Sequence, residues 1–226
     1  MTILSTREWM LLLAIFLYSF VPAFGGLFRI IELAGGFALV PANPRALDAP
    51  LPILIHIAAS FVFCMIGAVQ FLPSVRRRSP RLHRMLGRLV ATSGLISALS
   101  GLWMTHVFQF PDSLQGPLLY WIRIGVGLFM AAQILWAVAS VRGGNVSAHR
   151  SAMLRAYAIG QGASTQAIFG IGWILVFSTE LTGFSRDIAM GLAWALNLAI
   201  AETMIFLMRD TRNRFDYGLQ RPQSDH

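Results

Sequence analysis

Residues 51–72 read LPILIHIAASFVFCMIGAVQFL, an apolar stretch without a single Asp, Glu, Lys or Arg. A membrane-spanning helix needs about 20 mostly apolar residues, so this stretch is long enough to cross a bilayer. Five further runs share its length and character, and their continuous apolar composition excludes the alternating pattern of a membrane barrel. The sequence therefore predicts an all-α integral membrane protein with six spans, at residues 9–28, 51–72, 89–108, 117–141, 156–181 and 188–208.

Composition supports a single membrane domain over residues 1–226. Hydrophobic residues make up 56% of the chain and charged residues 12%, about half the charged share of soluble proteins. The net charge of +8 does not indicate nucleic-acid binding, because the arginines lie between the apolar runs. The sequence has no GxxxxGK[ST], HExxH, CxxC or GxSxG motif and identifies no catalytic residue, so whether the chain is an enzyme stays open.

Arginine placement predicts the direction of the spans. Six arginines lie in residues 73–88, three in residues 142–155 and four in the tail, residues 209–226, whereas the alternate connections carry little excess positive charge. By the positive-inside rule both termini are cytoplasmic, and the chain is expected in the bacterial inner membrane. Residues 25–50 then lie outside, where FRIIELAGGFALV, residues 28–40, is expected as a short amphipathic helix at the interface.

A short repeat marks two of the arginine-rich connections. SVRRRSPRLHR, residues 74–84, and SVRGGNVSAHR, residues 140–150, both place Ser-Val-Arg six residues before His-Arg. The repeat predicts that spans 2–3 and 4–5 are parallel copies of one hairpin. We expect these four spans to form a core, flanked by spans 1 and 6. Small and amide residues at helical spacing would let a helix or a flat ligand approach closely: Gly94, Ser97, Gly101, Gly162, Gln166 and Gly170.

Two histidines at similar membrane depth form the first candidate site. His56 lies near the outer end of span 2 and His106 near the outer end of span 3, within roughly one helical turn in depth. Together they could bind the iron of a haem b at both axial positions, and Arg123 on span 4 could pair with a haem propionate. Alternatively, His106 is an interfacial residue, His56 is hydrogen-bonded within the bundle, and Arg123 extends to the headgroups.

The His-Arg repeats form a second candidate site at the cytoplasmic face. His83 and His149 could bind a second haem, a metal or an anion, because guanidinium groups suit phosphate and carboxylate. The candidate residues are His83, Arg84, Arg88, His149, Arg150, Arg155 and Glu202. Positive-inside anchoring to anionic lipid is the alternative. A third set, Gln133, Gln161, Gln166, Asn197 and Glu202, could line a quinone pocket or proton path, or simply join helices.

Three stretches carry a family resemblance: IHIAASFVFCMIGAVQF, RLHRMLGRLV and HRSAMLRAY, within residues 51–157. They resemble an uncharacterised bacterial family of predicted multi-pass membrane proteins, classed as a domain of unknown function, which implies the fold but no catalytic residue. A looser similarity is to transmembrane haem b cytochromes, which hold two haems between histidines of a four-helix core. This similarity implies that His56 and His106 form one pair of haem ligands, and His83 and His149 a second pair. Because His83 and His149 lie in arginine-rich turns, we expect one bound haem rather than two.

Two functions are therefore expected from the sequence. The first is a redox protein that binds haem b between His56 and His106 and exchanges electrons with a quinone or a redox partner protein. The second is a non-catalytic binding or transport module that recognises an anionic lipid or solute through its His-Arg loops.

Overall fold

The computed structural model describes residues 4–39 and 43–219, the last nine of these by their backbone alone. All regular structure within these ranges is helical. The helices are α1 (Thr6–Leu33), α2 (Pro44–Asp48), α3 (Pro50–Val69), α4 (Pro73–Arg78), α5 (Pro80–Val107), α6 (Pro117–Arg142), α7 (Val146–Gly160), α8 (Gly162–Phe177) and α9 (Gly183–Leu219).

The chain is a multi-pass membrane protein, as predicted. Five of the described helices, α1, α3, α5, α6 and α9, are long and apolar enough to cross a membrane. Their outward faces are apolar: the side chains of Met10 on α1, Trp121 on α6 and Phe206 on α9 are 65%, 68% and 68% exposed. Such exposure of large apolar side chains suits contact with lipid acyl chains.

The predicted fifth span is two helices rather than one. α7 and α8 meet at Gln161, between Gly160 and Gly162. A Cβ atom at Gly160 would lie 2.6 Å from Cε1 of Phe63, and one at Gly162 would lie 2.1 Å from Nε1 of Trp194. Both aromatic rings therefore pack directly on the backbone at the break.

Other helix boundaries also differ from the prediction. Residues 28–33 extend α1 to Leu33 instead of forming a separate interfacial helix, because the helix continues through Pro22 and ends only just before Gly35, which has a φ of +90°. The short helix α2 was not predicted. α9 continues past residue 208, so the predicted tail begins as helix, and its residues 220–226 lie outside the described residues.

The bundle has two distinct ends. The arginine-rich end contains α4 and the starts of α1, α5 and α7, where Glu8 on α1 accepts hydrogen bonds from the amide and hydroxyl of Ser74, both at 2.7 Å. The opposite end, here the Asp187 end, contains α2 and the start of α9. There the carboxylate of Asp187, 1% exposed, accepts from the amides of Gly116 at 3.1 Å and Leu119 at 3.2 Å and so caps α6.

The buried core cluster draws on all four spans that were predicted to form the core. It combines Phe63 of α3, Val90 of α5, Ile134 of α6 and Tyr157 of α7. On α3 the fully buried Phe63 lies seven residues, about 10 Å, after His56. This cluster fills the middle of the bundle between the two ends.

The two His-Arg stretches fold alike. The amide of His83 donates to the carbonyl of Ser79, the residue that caps α5, at 3.0 Å. The amide of His149 donates to the carbonyl of Asn145, the residue that caps α7, at 3.1 Å. Each histidine is thus the fourth residue after a helix cap, which supports the predicted hairpin repeat of α3–α5 and α6–α7.

Candidate functional site

A cavity of about 440 Å³ opens among α1, α3, α5, α6 and α8, toward the Asp187 end. Its volume lies within the range of small-molecule and cofactor sites, about 300–1,000 Å³. Most of its wall is apolar. The polar side chains that line it include Ser19, Asn43, His56, Ser60, Ser97, Thr105, Arg123, Ser164 and Gln166.

The imidazole of His56 faces this cavity, and one of its two ring nitrogens is hydrogen-bonded. Its Nδ1 lies 3.0 Å from the carbonyl oxygen of Ser97 and 3.2 Å from the hydroxyl of Ser100. That hydroxyl donates to the carbonyl of Ile96 at 2.7 Å, so we assign the proton to Nδ1, which donates to Ser97. Nε2 then carries the lone pair, and no hydrogen bond to it is found in the described part of the chain. Gly101 leaves the ring room, since a Cβ there would lie 3.4 Å from Cε1.

His106 does not share the cavity with His56. Its side chain is exposed, whereas the neighbouring Thr105 and Phe108 line the cavity. His106 follows Gly101 by five residues, about 140° around the helix, so it points away from the side of α5 that faces α3. The structure thus does not bring together the predicted pair of axial ligands.

Arg123 lines the cavity, and Arg45 stacks on Phe110, another residue of the lining. The guanidinium of Arg123 lies 4.9 Å from the centre of the Phe110 ring and donates to Gln115, and Arg45 on α2 lies 4.9 Å from the same ring. Nε of Arg45 and the side-chain oxygen of Asn43 are buried without a hydrogen-bond partner among the described residues. Arg123 was predicted, but Arg45 was missed because an arginine in a long connection carries no spacing signal.

Hydrogen bonds join three helices at the break between α7 and α8. Ser19 donates to the Gln161 oxygen at 2.9 Å, the Gln161 nitrogen donates to the Tyr157 hydroxyl at 2.9 Å, and Tyr157 donates to the carbonyl of Cys64 at 2.7 Å. Gln161 is therefore a structural link between α1, α7 and α3.

The other predicted polar residues are divided between different places. Asn197 accepts from Thr165 at 2.8 Å, and Gln166 lines the cavity while its nitrogen donates to the carbonyl of Met190 at 3.2 Å. The oxygen of Gln133 is buried without a described partner. The five residues of the predicted third set therefore do not form one site.

The structure does bring His83 and His149 together at the arginine-rich end. The charges of Arg76, His149 and Arg84 all act on the His83 ring. Nδ1 of His149 lies 3.0 Å from the carbonyl of Ala137 and donates to it, whereas Nδ1 of His83 is buried without a described partner. Among the described residues, no three His, Cys, Asp or Glu side chains group as metal ligands.

The other candidate side chains at this end have contacts of their own. Arg155 forms a two-pronged ion pair with Glu202, with Nε–Oε1 at 2.5 Å and Nη2–Oε2 at 2.8 Å, as expected for an acid facing the His-Arg loops. Arg88 is exposed. Arg150 is exposed and donates to the sulfur of Met208 at 3.2 Å. Arg76 was not among the predicted site residues. It lies near enough to Arg150 and to His83 to interact electrostatically with both.

Comparison with known proteins yields one match. A family model described as "Predicted membrane protein (DUF2306)" matches residues 53–205, which is more than half of the chain. The match covers the helices that carry His56, His83, Arg123 and His149. No curated protein and no solved structure matches the chain.

Proposed function

The chain belongs to the DUF2306 family of predicted membrane proteins, and we propose that it is an electron-transfer protein that binds haem b in the His56 cavity. One observation carries the proposal: the hydrogen-bonding state of His56. A histidine that binds a metal almost always donates its other ring N–H to a carbonyl, carboxylate or water. His56 has this arrangement, with Nδ1 bonded to the carbonyl of Ser97 and Nε2 free toward a cavity with apolar walls.

The remaining residues fit an acidic, flat ligand. Nε2 of His56 would bind the iron, and Arg123 and Arg45 would pair with the two propionates. Bound haem supplies one-electron chemistry, and the apolar walls would keep water from the ring. A quinone or a redox partner protein would exchange the electron at the outer side of the predicted topology.

The residue that would hold the iron together with His56 differs from the sequence prediction. Because His106 points away from the cavity, the proposal leaves the iron with His56 alone or with His56 and a thioether. Met104 and Met130 both line the cavity, and methionine paired with histidine is a known haem ligand set.

An absorption spectrum tests this proposal directly. The protein would be purified from haem-supplied cells and measured before and after dithionite, alongside His56→Ala and His106→Ala. We expect a Soret band in the unchanged protein and in His106→Ala, and its loss in a folded His56→Ala variant. A featureless spectrum of the folded, haem-supplied protein would overturn the proposal. Retention of the band in His56→Ala would do the same.

A second candidate function concerns the opposite end of the bundle. Recognition of an anionic lipid or solute through the His-Arg loops is favoured by one observation, the approach of His83, Arg76 and His149 from separate segments. The two functions use different residues, so each can be tested without the other.

A further inference from the structure

The arginine-rich end collects arginine and histidine side chains from three separate segments. Arg76 belongs to α4, His83 to the start of α5, and His149 and Arg150 to the start of α7. Burial, and the nearby charges of Arg150 and Arg77, lower the pKa of Arg76 below its ordinary value. Holding like charges together in a partly buried place is unfavourable unless an anion compensates them.

The described residues supply no carboxylate to this cluster. Ion pairs among these residues join Arg29 to Glu32 and Arg155 to Glu202. Within the same ranges Arg76, Arg84 and Arg150 form no ion pair. Arg150 instead donates to the thioether of Met208, which is a weak acceptor. The guanidinium groups therefore retain donors for an external anion.

Two buried polar groups under the cluster also lack partners. They are Nδ1 of His83 and Nε2 of Gln70, neither of which has a hydrogen bond among the described residues. The oxygen of Gln70 lies 3.3 Å from the position a Cβ would take at Gly87, one helical turn after His83, so the amide packs against the same face of α5 as His83. Buried polar groups are normally hydrogen-bonded, so these two unpartnered atoms are consistent with an external hydrogen-bonding group at this end.

We propose that Arg76, His83, His149 and Arg150 form a binding site for a phosphate group, with Gln70 as a buried donor beneath it. This inference rests on the second candidate function and names its ligand class. Phosphate suits the cluster because it offers several acceptor oxygens and more than one negative charge to forked guanidinium donors. The starts of α5 and α7 point their free amides toward the same end, which adds to the attraction for an anion. The phosphate comes either from an anionic lipid headgroup or from a free phosphate compound.

The test uses the full chain in detergent and compares variants of equal charge. The double variant Arg76→Gln/Arg150→Gln removes two cluster arginines, whereas Arg81→Gln/Arg88→Gln removes two exposed arginines that lie outside the cluster. The measured quantity is the thermal unfolding midpoint during titration with inorganic phosphate, with short-chain phosphatidylglycerol and with short-chain phosphatidylcholine. We expect a rise with a phosphate-bearing anion, and an apparent affinity on the order of tenfold weaker in the cluster variant than in the control.

The outcomes separate the two sources of phosphate and the two proposed functions. A response to both phosphatidylglycerol and inorganic phosphate supports a general phosphate site, and a response to phosphatidylglycerol alone supports a lipid headgroup. Equal weakening in both double variants would show general electrostatic attraction and overturn the site. No response to either anion would also overturn the site. The haem spectrum depends on His56 and not on this cluster, so it tests the other proposed function independently. If the cluster variant fails to fold, Gln70→Leu and the single arginine variants repeat the test with a smaller expected loss.

Discussion

Replacement of Gly94 by alanine tests the packing of the four-helix core. A Cβ at Gly94 would lie 2.5 Å from Cε2 and 2.6 Å from Cδ2 of Phe63, and 2.9 Å from Cδ1 of Ile134. Carbon atoms normally pack at about 3.5–4.0 Å, so the added methyl group overlaps the ring by roughly 1 Å. The ring cannot retreat, because Phe63 is fully buried and its opposite edge packs against Gly160.

The expected cost follows from this overlap. Overpacking of a filled core costs about 1–3 kcal/mol. Alanine also improves helix propensity by about 1 kcal/mol, which would mask part of the loss. Gly125→Ala on α6 is the matched control, because a Cβ there meets nothing within 4 Å while the propensity gain is similar. The free energy of unfolding of Gly94→Ala should therefore lie about 1–3 kcal/mol below that of Gly125→Ala.

Unfolding in mixed micelles with increasing dodecyl sulfate, followed by the fluorescence of the six tryptophans, measures the difference. Adding Phe63→Leu to Gly94→Ala should recover part of the loss, since a smaller side chain then faces the new methyl group. Equal stability of Gly94→Ala and Gly125→Ala would refute the reasoning. It would mean that α3 and α5 pack less closely than the structure indicates.

Three further substitutions test other contacts. Asp187→Ala removes the cap of α6 and should lower the free energy of unfolding by about 0.5–2 kcal/mol, and an unchanged thermal midpoint would contradict the capping role. Tyr157→Phe leaves the Gln161 nitrogen without its acceptor and should lower the free energy of unfolding by about 1–3 kcal/mol in the same micelle assay. An unchanged free energy of unfolding would show that this chain of hydrogen bonds does not form. A double-mutant cycle of Arg155→Gln and Glu202→Gln should give a coupling energy below about 1 kcal/mol, because the ion pair is partly exposed. This coupling energy should fall as salt is added. A larger coupling energy that does not change with salt would show that the pair is surrounded by lipid.

The five helices that can cross a membrane were predictable because length and apolar composition decide whether a segment crosses a bilayer. The core of spans 2–5 was predictable because the repeat paired His83 with His149, and the structure brings both histidines to one end. The break at Gln161 was missed, although glycines flank it on both sides. An apolar run containing Gly160 and Gly162 satisfies the length rule, and only the packing of neighbouring helices shows that the run is interrupted.

The separation of His106 from His56 has a different cause. Depth follows from position along the sequence, but the direction of a side chain follows from rotation about the helix axis. His56 and His106 agree in depth, yet Thr105 rather than His106 faces the cavity. A helical wheel anchored on Gly94 and Gly101, the glycines that approach α3, would have placed His106 on another face. Arg45 and Arg76 could not be selected this way, because both lie in connections whose path depends on the folded bundle.

The packed middle of the bundle bears on whether a solute could pass between its two ends. The His56 cavity and the cluster around His83 are separated by the packed core, in which Phe63 is 0% and Tyr157 8% exposed. Gly94 and Gly160 clamp the Phe63 ring, and hydrogen bonds hold Tyr157, so a solute could pass only if α3, α5 and α7 moved apart. An electron needs no opening, and a ligand at either end needs only its own site. The packed middle therefore suits two separate sites, one at each end. If both proposed sites bind a ligand, substitutions that abolish binding at one should leave binding at the other unchanged.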